Sequence, residues 1–346
     1  MTERRIYLDE GLGETRGVVT LDGRPERLLI SRDGDVASQA LGAEVVGRVR
    51  KVERQLALAF VDLGEGPDGV LNLRPDMDRL VEGQAVRVEI RSEARAGKGA
   101  SLRLSGEGEG PPRLLTPAPT VEDELAAVAT RAQVVTGGVA RAMADGAEAE
   151  ALETVFALPG GGSVAIEATR ALIAVDVDLG ERGGSDAKRA TRAANFAALT
   201  TTARVLRLKG EGGLVVIDLA GRGHDGPALI SGARLSFGPD NPGVAFGPIS
   251  RFGTLELTVP RRRRSVADRL LDADGQLSAL TLALRLVRQI ERAAADPGAR
   301  LEARAAPDVA EAARPHLKAL TDRFGARLAL AADPARPRGD PEVSPA

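Results

Sequence analysis

Two short apolar runs, Ala171-Leu-Ile-Ala-Val-Asp176 and Gly213-Leu-Val-Val-Ile-Asp218, each end in an aspartate. Runs this apolar over five or six residues read as strands buried in a sheet. A carboxylate cannot end such a strand inside the core unpaired, because burying it bare is costly. Each aspartate must therefore stand at the edge of the sheet or find a partner there. The stretch between them, Asp186 to Lys209, reads as one long helix that stops at Gly210. Strand, helix, strand is a crossover unit, which makes the two strands parallel neighbours. That topology sets Asp176 and Asp218 at the same carboxyl edge, where open α/β sheets place their ligands. Asp178 shares a face with Asp176, since strand side chains alternate. Convergence of these carboxylates suggests a metal; strand-end acids that cap nearby helices are the plain alternative.

Composition narrows the choice of metal. The chain has no cysteine and only two histidines, His224 and His316, which removes disulfides, thiolate zinc sites, cysteine nucleophiles and histidine-rich metal sites together. A hard, oxygen-ligated cation remains. With 346 residues, 43% apolar and 28% charged, the sequence is that of a soluble globular protein of two or three domains. It shows no signal peptide and no apolar stretch near the roughly 20 residues a membrane helix needs, so a cytoplasmic location is expected. A net charge of −2 does not advertise nucleic-acid binding, although local patches could still provide it. Seven Phe, one Tyr and no Trp leave room for only a small base-stacking surface.

The expected class is α/β, in the α+β multidomain sense. Residues 1–40 read as strands packing on the aspartate-bearing part. Within 41–105, five short runs (Val45–Val49, Leu56–Val61, Gly69–Leu71, Ala85–Ile90, Ala100–Leu104) predict a small five-stranded barrel. Residues 106–120, with Pro111, Pro112, Pro117 and Pro119, read as a linker. The segment 121–260 is the α/β domain carrying the aspartates. In it, Val121–Gln133 and Ala147–Leu158 read as helices, and Ser163–Glu167 pairs with Ala171–Asp176 as a hairpin. Residues 261–332 form a smaller α/β unit, with helices Leu277–Ala293 and Asp308–Phe324 and strands Arg300–Arg304 and Ala326–Leu330; 333–346 is expected to be a flexible tail.

This order of pieces resembles the ribonuclease E/G family of bacterial endoribonucleases over most of the chain. The resemblance is carried by Thr169-Arg-Ala-Leu-Ile-Ala-Val-Asp-Val-Asp178, by the helix around Asn195, by Arg204-Val-Leu-Arg-Leu-Lys-Gly-Glu-Gly-Gly-Leu-Val-Val-Ile-Asp218, and by Ile249-Ser-Arg-Phe-Gly253 with Leu255-Glu-Leu257. It implies a Mg²⁺-dependent endoribonuclease acting on single-stranded RNA in RNA processing or decay. Asp176 and Asp218 would hold the metal that activates water, leaving 5′-phosphate and 3′-hydroxyl ends. Asp178 would act beside them, where the family usually has asparagine.

The same resemblance makes Gly47-Arg-Val, Ala59-Phe-Val-Asp-Leu-Gly64 and Gly97-Lys-Gly-Ala-Ser-Leu102 parts of an RNA-binding barrel of the oligonucleotide-binding (OB) type, inserted near the N-terminus. Phe60 falls where the family stacks a base and Lys98 where it contacts the backbone; Val70 occupies a second aromatic position. Read alone, Phe60 is a core residue and Lys98 a solvated turn lysine. Two departures stand out. The family's paired-cysteine zinc link cannot exist here, so no zinc is expected, and any homodimer would be unbridged by zinc. The region between barrel and aspartate strands is far shorter than in the family and shows no match to its pocket for a 5′-monophosphate.

Other motifs are weaker. Gly97-Lys-Gly-Ala-Ser lacks the earlier glycine of a phosphate loop, since Ser92 stands there. Arg251, in a glycine-flanked turn, could hold a phosphate by its planar fork or pair with an acid such as Glu256. Arg261 to Arg264 read as a solvated face, with tracking of an RNA backbone as the alternative. His224 is given no chemical role. The rival to an enzyme is an RNA-binding protein with weak or no cleavage that assists RNA or ribosome maturation.

Overall fold

The computed structural model describes residues 3–75, 79–95, 97–180, 187–294, 300–325 and 327–345. It is a mixed α/β protein whose described strands form four sheets. The first is an antiparallel meander of Arg4–Gly11, Glu14–Leu21 and Arg24–Arg32, joined on its outer edge, in parallel, by Gln133–Val135. The expected helix Val121–Gln133 therefore ends early, at Val128. Thr120 and Asp123 close its start as a reciprocal capping box.

The barrel forms as expected. Glu44–Glu53, Leu58–Asp62, Gly69–Asn72, Ser101–Glu107 and Ala85–Ser92 pair in that order, and the last returns to the first. Four of the five pairings are antiparallel; the Gly69–Asn72 strand lies parallel to Ser101–Glu107. Closure removes the free edges that would otherwise invite association. Val45, Ala59, Val61, Leu71, Val88 and Ile90 fill the interior. Gly47 is required by that tightness, because a Cβ there would lie 2.4 Å from Val61 Cγ1. The segment 106–120 is not all connection: Arg113–Thr116 adds a further strand against Glu44–Val46.

Six strands make the central sheet, in the order Val155–Ala157, Ser163–Ala168, Ile173–Asp178, Gly213–Asp218, Thr254–Val259, Ala245–Ile249. Its expected second helix lies earlier, over Gly137–Leu152, and the β-favouring Val155 and Phe156 go into the sheet instead. The long helix is Ala187–Lys209; Asp186 lies outside the described residues. Leaving this helix, the chain turns through Gly210 at φ 65°, and the Glu211 N–H reaches back to the Leu206 carbonyl at 3.0 Å. Leu199, Leu206, Leu229 and Phe237 from the helices bury against Val175, Val177, Val215 and Ile217 on one face of the sheet.

In the C-terminal unit, Leu301–Ala305 lies between Leu328–Ala332, parallel to it, and Glu342–Pro345, antiparallel. The helices Ala279–Ala294 and Pro307–Phe324 cover it; Ala326 is outside the described residues. The tail expected to be flexible is thus an edge strand. Arg338 holds it down through Asp308 at 2.6 Å and Asp272 at 3.0 Å. The Arg261–Arg264 run is likewise no plain solvated face. The Arg262 carbonyl accepts the Glu93 N–H at 2.8 Å, Glu93 Oε2 accepts the Arg264 N–H at 3.0 Å, and Arg263 pairs with Glu124. The run docks the barrel.

An ion-pair network ties the first sheet to two helices. Arg16, with no exposed surface, pairs with Asp9 on the neighbouring strand and with Glu148 at 2.7 Å and Asp145 at 2.8 Å on the Gly137–Leu152 helix. Buried Arg288 of the Ala279–Ala294 helix pairs with Glu14. Burial works against the Arg16 charge, yet Glu148 and Asp9 hold its guanidinium above the ordinary arginine value. Removing the cation would take the buried partner from Asp9 and Glu148 and leave them only the longer pairs with Arg141 at 3.1 Å and with Arg285 and Arg288 at 3.2 and 3.6 Å. Arg16→Met should therefore lower unfolding free energy by about 3–5 kcal/mol, measured by urea denaturation; a loss below about 1 kcal/mol would contradict this accounting.

Candidate active site

Ile173–Asp178 and Gly213–Asp218 run parallel with Ile173 opposite Val215 and Asp176 opposite Asp218. Val175, Val177, Val215 and Ile217 point into the helix-covered core, so strict alternation sends both aspartates to the other face. That face is open. Ala165, Asp176, Asp218 and Thr254 form one row across four strands, and none of them is buried. Neighbouring strands lie about 4.8 Å apart, close enough for two in-register carboxylates to share one ion with oxygen contacts of about 2.1 Å.

Asp178 is exposed on the same face, but its Oδ1 accepts the Gly180 N–H at 2.9 Å and so shapes the turn that leaves the strand. The expected convergence of three carboxylates is not seen: among the described residues no three acidic or histidine side chains group closely enough to hold a metal. The two-residue offset of Asp178, about 6.6 Å along a strand, accounts for this. Two carboxylates are still a sufficient protein set for Mg²⁺, which keeps several of its waters.

The position of Asp218 is fixed from beneath. Asn195, buried in the long helix, donates from Nδ2 to the Ala220 carbonyl at 3.1 Å and accepts the Ala220 N–H on Oδ1 at 3.0 Å. This clamp holds the chain two residues past the aspartate. From the side, the Leu219 N–H donates to the Gly253 carbonyl at 3.3 Å. The Ser250–Gly253 turn is itself pinned. Ser250 Oγ lies 2.7 Å from Thr254 Oγ1 and accepts the Phe252 N–H at 3.2 Å. His224 packs beneath it, its Nε2 3.4 Å from where a Cβ on Gly253 would lie.

Arg251 is exposed on that turn, with its guanidinium 4.7 Å from the Phe252 ring centroid, and makes no ion pair with Glu256 among the described residues. On the barrel, Phe60 is half-buried and faces outward. It sits opposite Lys51 and Val70, with Ser101 next in the row. Lys98 lies exposed in a two-way bridge with Arg95, three residues before Ser101. Phe60, Val70 and Lys98 thus share the barrel's exterior, while Asp176, Asp218 and Arg251 share the carboxyl end of the central sheet.

Sequence reasoning missed two features here. One is the helix Gly226–Phe237, which Asp225 caps by accepting the Ala228 N–H at 3.2 Å; Asp225 with Pro227 two residues on was its signal. The other is Phe252, 76% exposed. If the Asn195 clamp positions Asp218, Asn195→Leu should destabilise the protein by about 1–2 kcal/mol, since it strands the half-buried N–H and carbonyl of Ala220. Any catalytic activity should fall with it even at temperatures where the variant stays folded. An Asn195→Leu protein with the parent's unfolding midpoint would refute the clamp.

Residues 129–264 match the Ribonuclease E/G family. Ribonuclease E of Haemophilus influenzae is 36% identical over 115 residues, covering 32% of this chain and 12% of that protein. Ribonuclease E of Escherichia coli is 35% identical over 115 residues, covering 32% of this chain and 11% of that protein. The chloroplastic ribonuclease E/G-like protein of Arabidopsis thaliana is 29% identical over 143 residues, covering 38% and 14%. The chain therefore spans far less than two thirds of these relatives, and the barrel lies outside the matched segment. That segment, which carries both in-register aspartates, is similar to the ribonuclease E/G family.

Proposed function

We propose that this protein is a Mg²⁺-dependent endoribonuclease that cleaves single-stranded RNA to 5′-phosphate and 3′-hydroxyl ends. The observation that carries the reading is the in-register pair Asp176 and Asp218, exposed together on an open sheet face inside the family-matched segment. Relatives named Ribonuclease E, 35–36% identical over 115 residues, support the reaction class.

When bound, Mg²⁺ would supply an activated water and charge neutralisation at phosphorus. Asp176 and Asp218 would hold it from adjacent strands. Asp178 keeps a negative charge on the same face and fixes the departing turn through Gly180. Arg251, without a carboxylate partner among the described residues, would take a phosphate of the substrate by its planar fork. The barrel's outward row around Phe60, with Lys98 near its end, would grip the strand by stacking and charge. No helix among the described residues is long and apolar enough to cross a membrane. A cytoplasmic location and a homodimer without a zinc bridge are parts of the same proposal.

Titrating Mg²⁺ against a labelled unstructured RNA should give cleavage that Asp176→Asn and Asp218→Asn each reduce at least about a hundredfold, as expected for loss of several kcal/mol of charge stabilisation. Variants that cut as fast as the parent would sink the metal assignment. Salt-sensitive RNA binding without cleavage at any Mg²⁺ concentration would favour the non-catalytic RNA-binding protein instead.

A further inference from the structure

The chain has eight aromatic residues, seven Phe and one Tyr. Tyr7, Phe156 and Phe237 are buried, and Phe60, Phe196, Phe246 and Phe324 are half-buried. Phe252 alone is exposed, at 76%. A single exposed apolar side chain is ordinary on a protein surface. This one has two uncommon properties. It stands on a turn held by its own hydrogen bonds: the Ser250 hydroxyl Oγ accepts the N–H groups of Phe252 and Thr254, and the Gly253 N–H donates to the Ser250 carbonyl at 3.0 Å. It also stands beside the reactive edge. Asp218 lies opposite Thr254, and the Gly253 carbonyl bonds the residue after Asp218. Adding the strand spacing to two residues of chain puts the Cα atoms of Phe252 and Asp218 within about 12 Å.

A flexible exposed ring would lose rotational freedom on binding, and its stacking would be weak for that reason. Here the backbone is already fixed, and Arg251 sits 4.7 Å from the ring centroid. A planar π-face next to a guanidinium, a short run of nucleotides from a carboxylate pair, matches a base and its adjoining phosphate.

We propose that Phe252 is a nucleobase-stacking platform that sets the register of RNA at the aspartate pair, with Arg251 holding the phosphate next to the stacked base. This rests on the reading of the protein as acting on single-stranded RNA, and it adds a contact to the one expected at Phe60. The platform reads a π-face, so it accepts any base and discriminates against an abasic site.

The chain has no tryptophan, so Phe252→Trp introduces a lone indole as reporter. A short fluorescein-labelled oligoadenylate, followed by anisotropy, measures binding independently, and unlabelled oligoadenylate with and without one abasic position is titrated against the indole emission. Stacking predicts quenching by oligoadenylate and weaker quenching when the abasic position falls at the platform. Phe252→Ala should bind about tenfold more weakly and Phe252→Tyr within about twofold of the parent, the range expected for one stacked base. Both should unfold at the parent's temperature, because the ring buries little surface. Binding by anisotropy with no quenching, or with equal affinity for Phe252→Ala and the parent, overturns the platform and leaves the RNA reading standing. No binding by anisotropy overturns both.

Discussion

The register between two parallel strands is the constraint on which the candidate site depends. With Val175 opposite Ile217, the next pair must be Asp176 with Asp218, and alternation turns that pair away from the core. A shift of one residue would send an aspartate into the apolar layer formed with Leu199, Leu206 and Phe237. The register is thus protected against a one-residue slip by the cost of burying a charge, and the alignment observed makes the two acids direct neighbours. The Asn195 clamp and the Ser250–Gly253 turn act downstream of this choice. They hold the strand end that the register has already placed.

Charge compensation elsewhere in the molecule follows a different rule. The first sheet and the helices on it meet through Arg16, Asp9, Glu14, Glu148 and Arg288, all buried. Such groups give little net stability over an apolar interface, but any one of them alone is very costly. They penalise incorrect packing of the two helices against the sheet more than they strengthen correct packing.

Local patterns were legible in the sequence; distant partners were not. The barrel strands, the long helix and the aspartate-ended strands are each written in a run of neighbouring residues. Convergence of Asp178 failed because alternation gives a face but not a distance. The tail from Asp333 reads as loose from its prolines, yet its last residues find an open edge on Leu301–Ala305. The Arg261–Arg264 run reads as solvated because its acceptor, Glu93, is 171 residues from Arg264. Phe252 was hidden for a simpler reason, since exposure is a property of the folded surface and an isolated Phe in a sequence reads as core.

Glu93 also bears on how the barrel is carried. The chain enters the barrel at Glu44 and leaves it after the edge strand that ends at Thr116. A body joined to another at two points can swing about the line between them. The barrel's Glu93, bonded through its backbone to Arg262 and through its carboxylate to Arg264 and Arg269, is a third point off that line. Three points fix an attitude as well as a distance. The outward row around Phe60 thereby takes its bearing relative to the central sheet from Glu93 together with Gln39, whose Nε2 donates to the Glu65 and Pro67 carbonyls of the barrel.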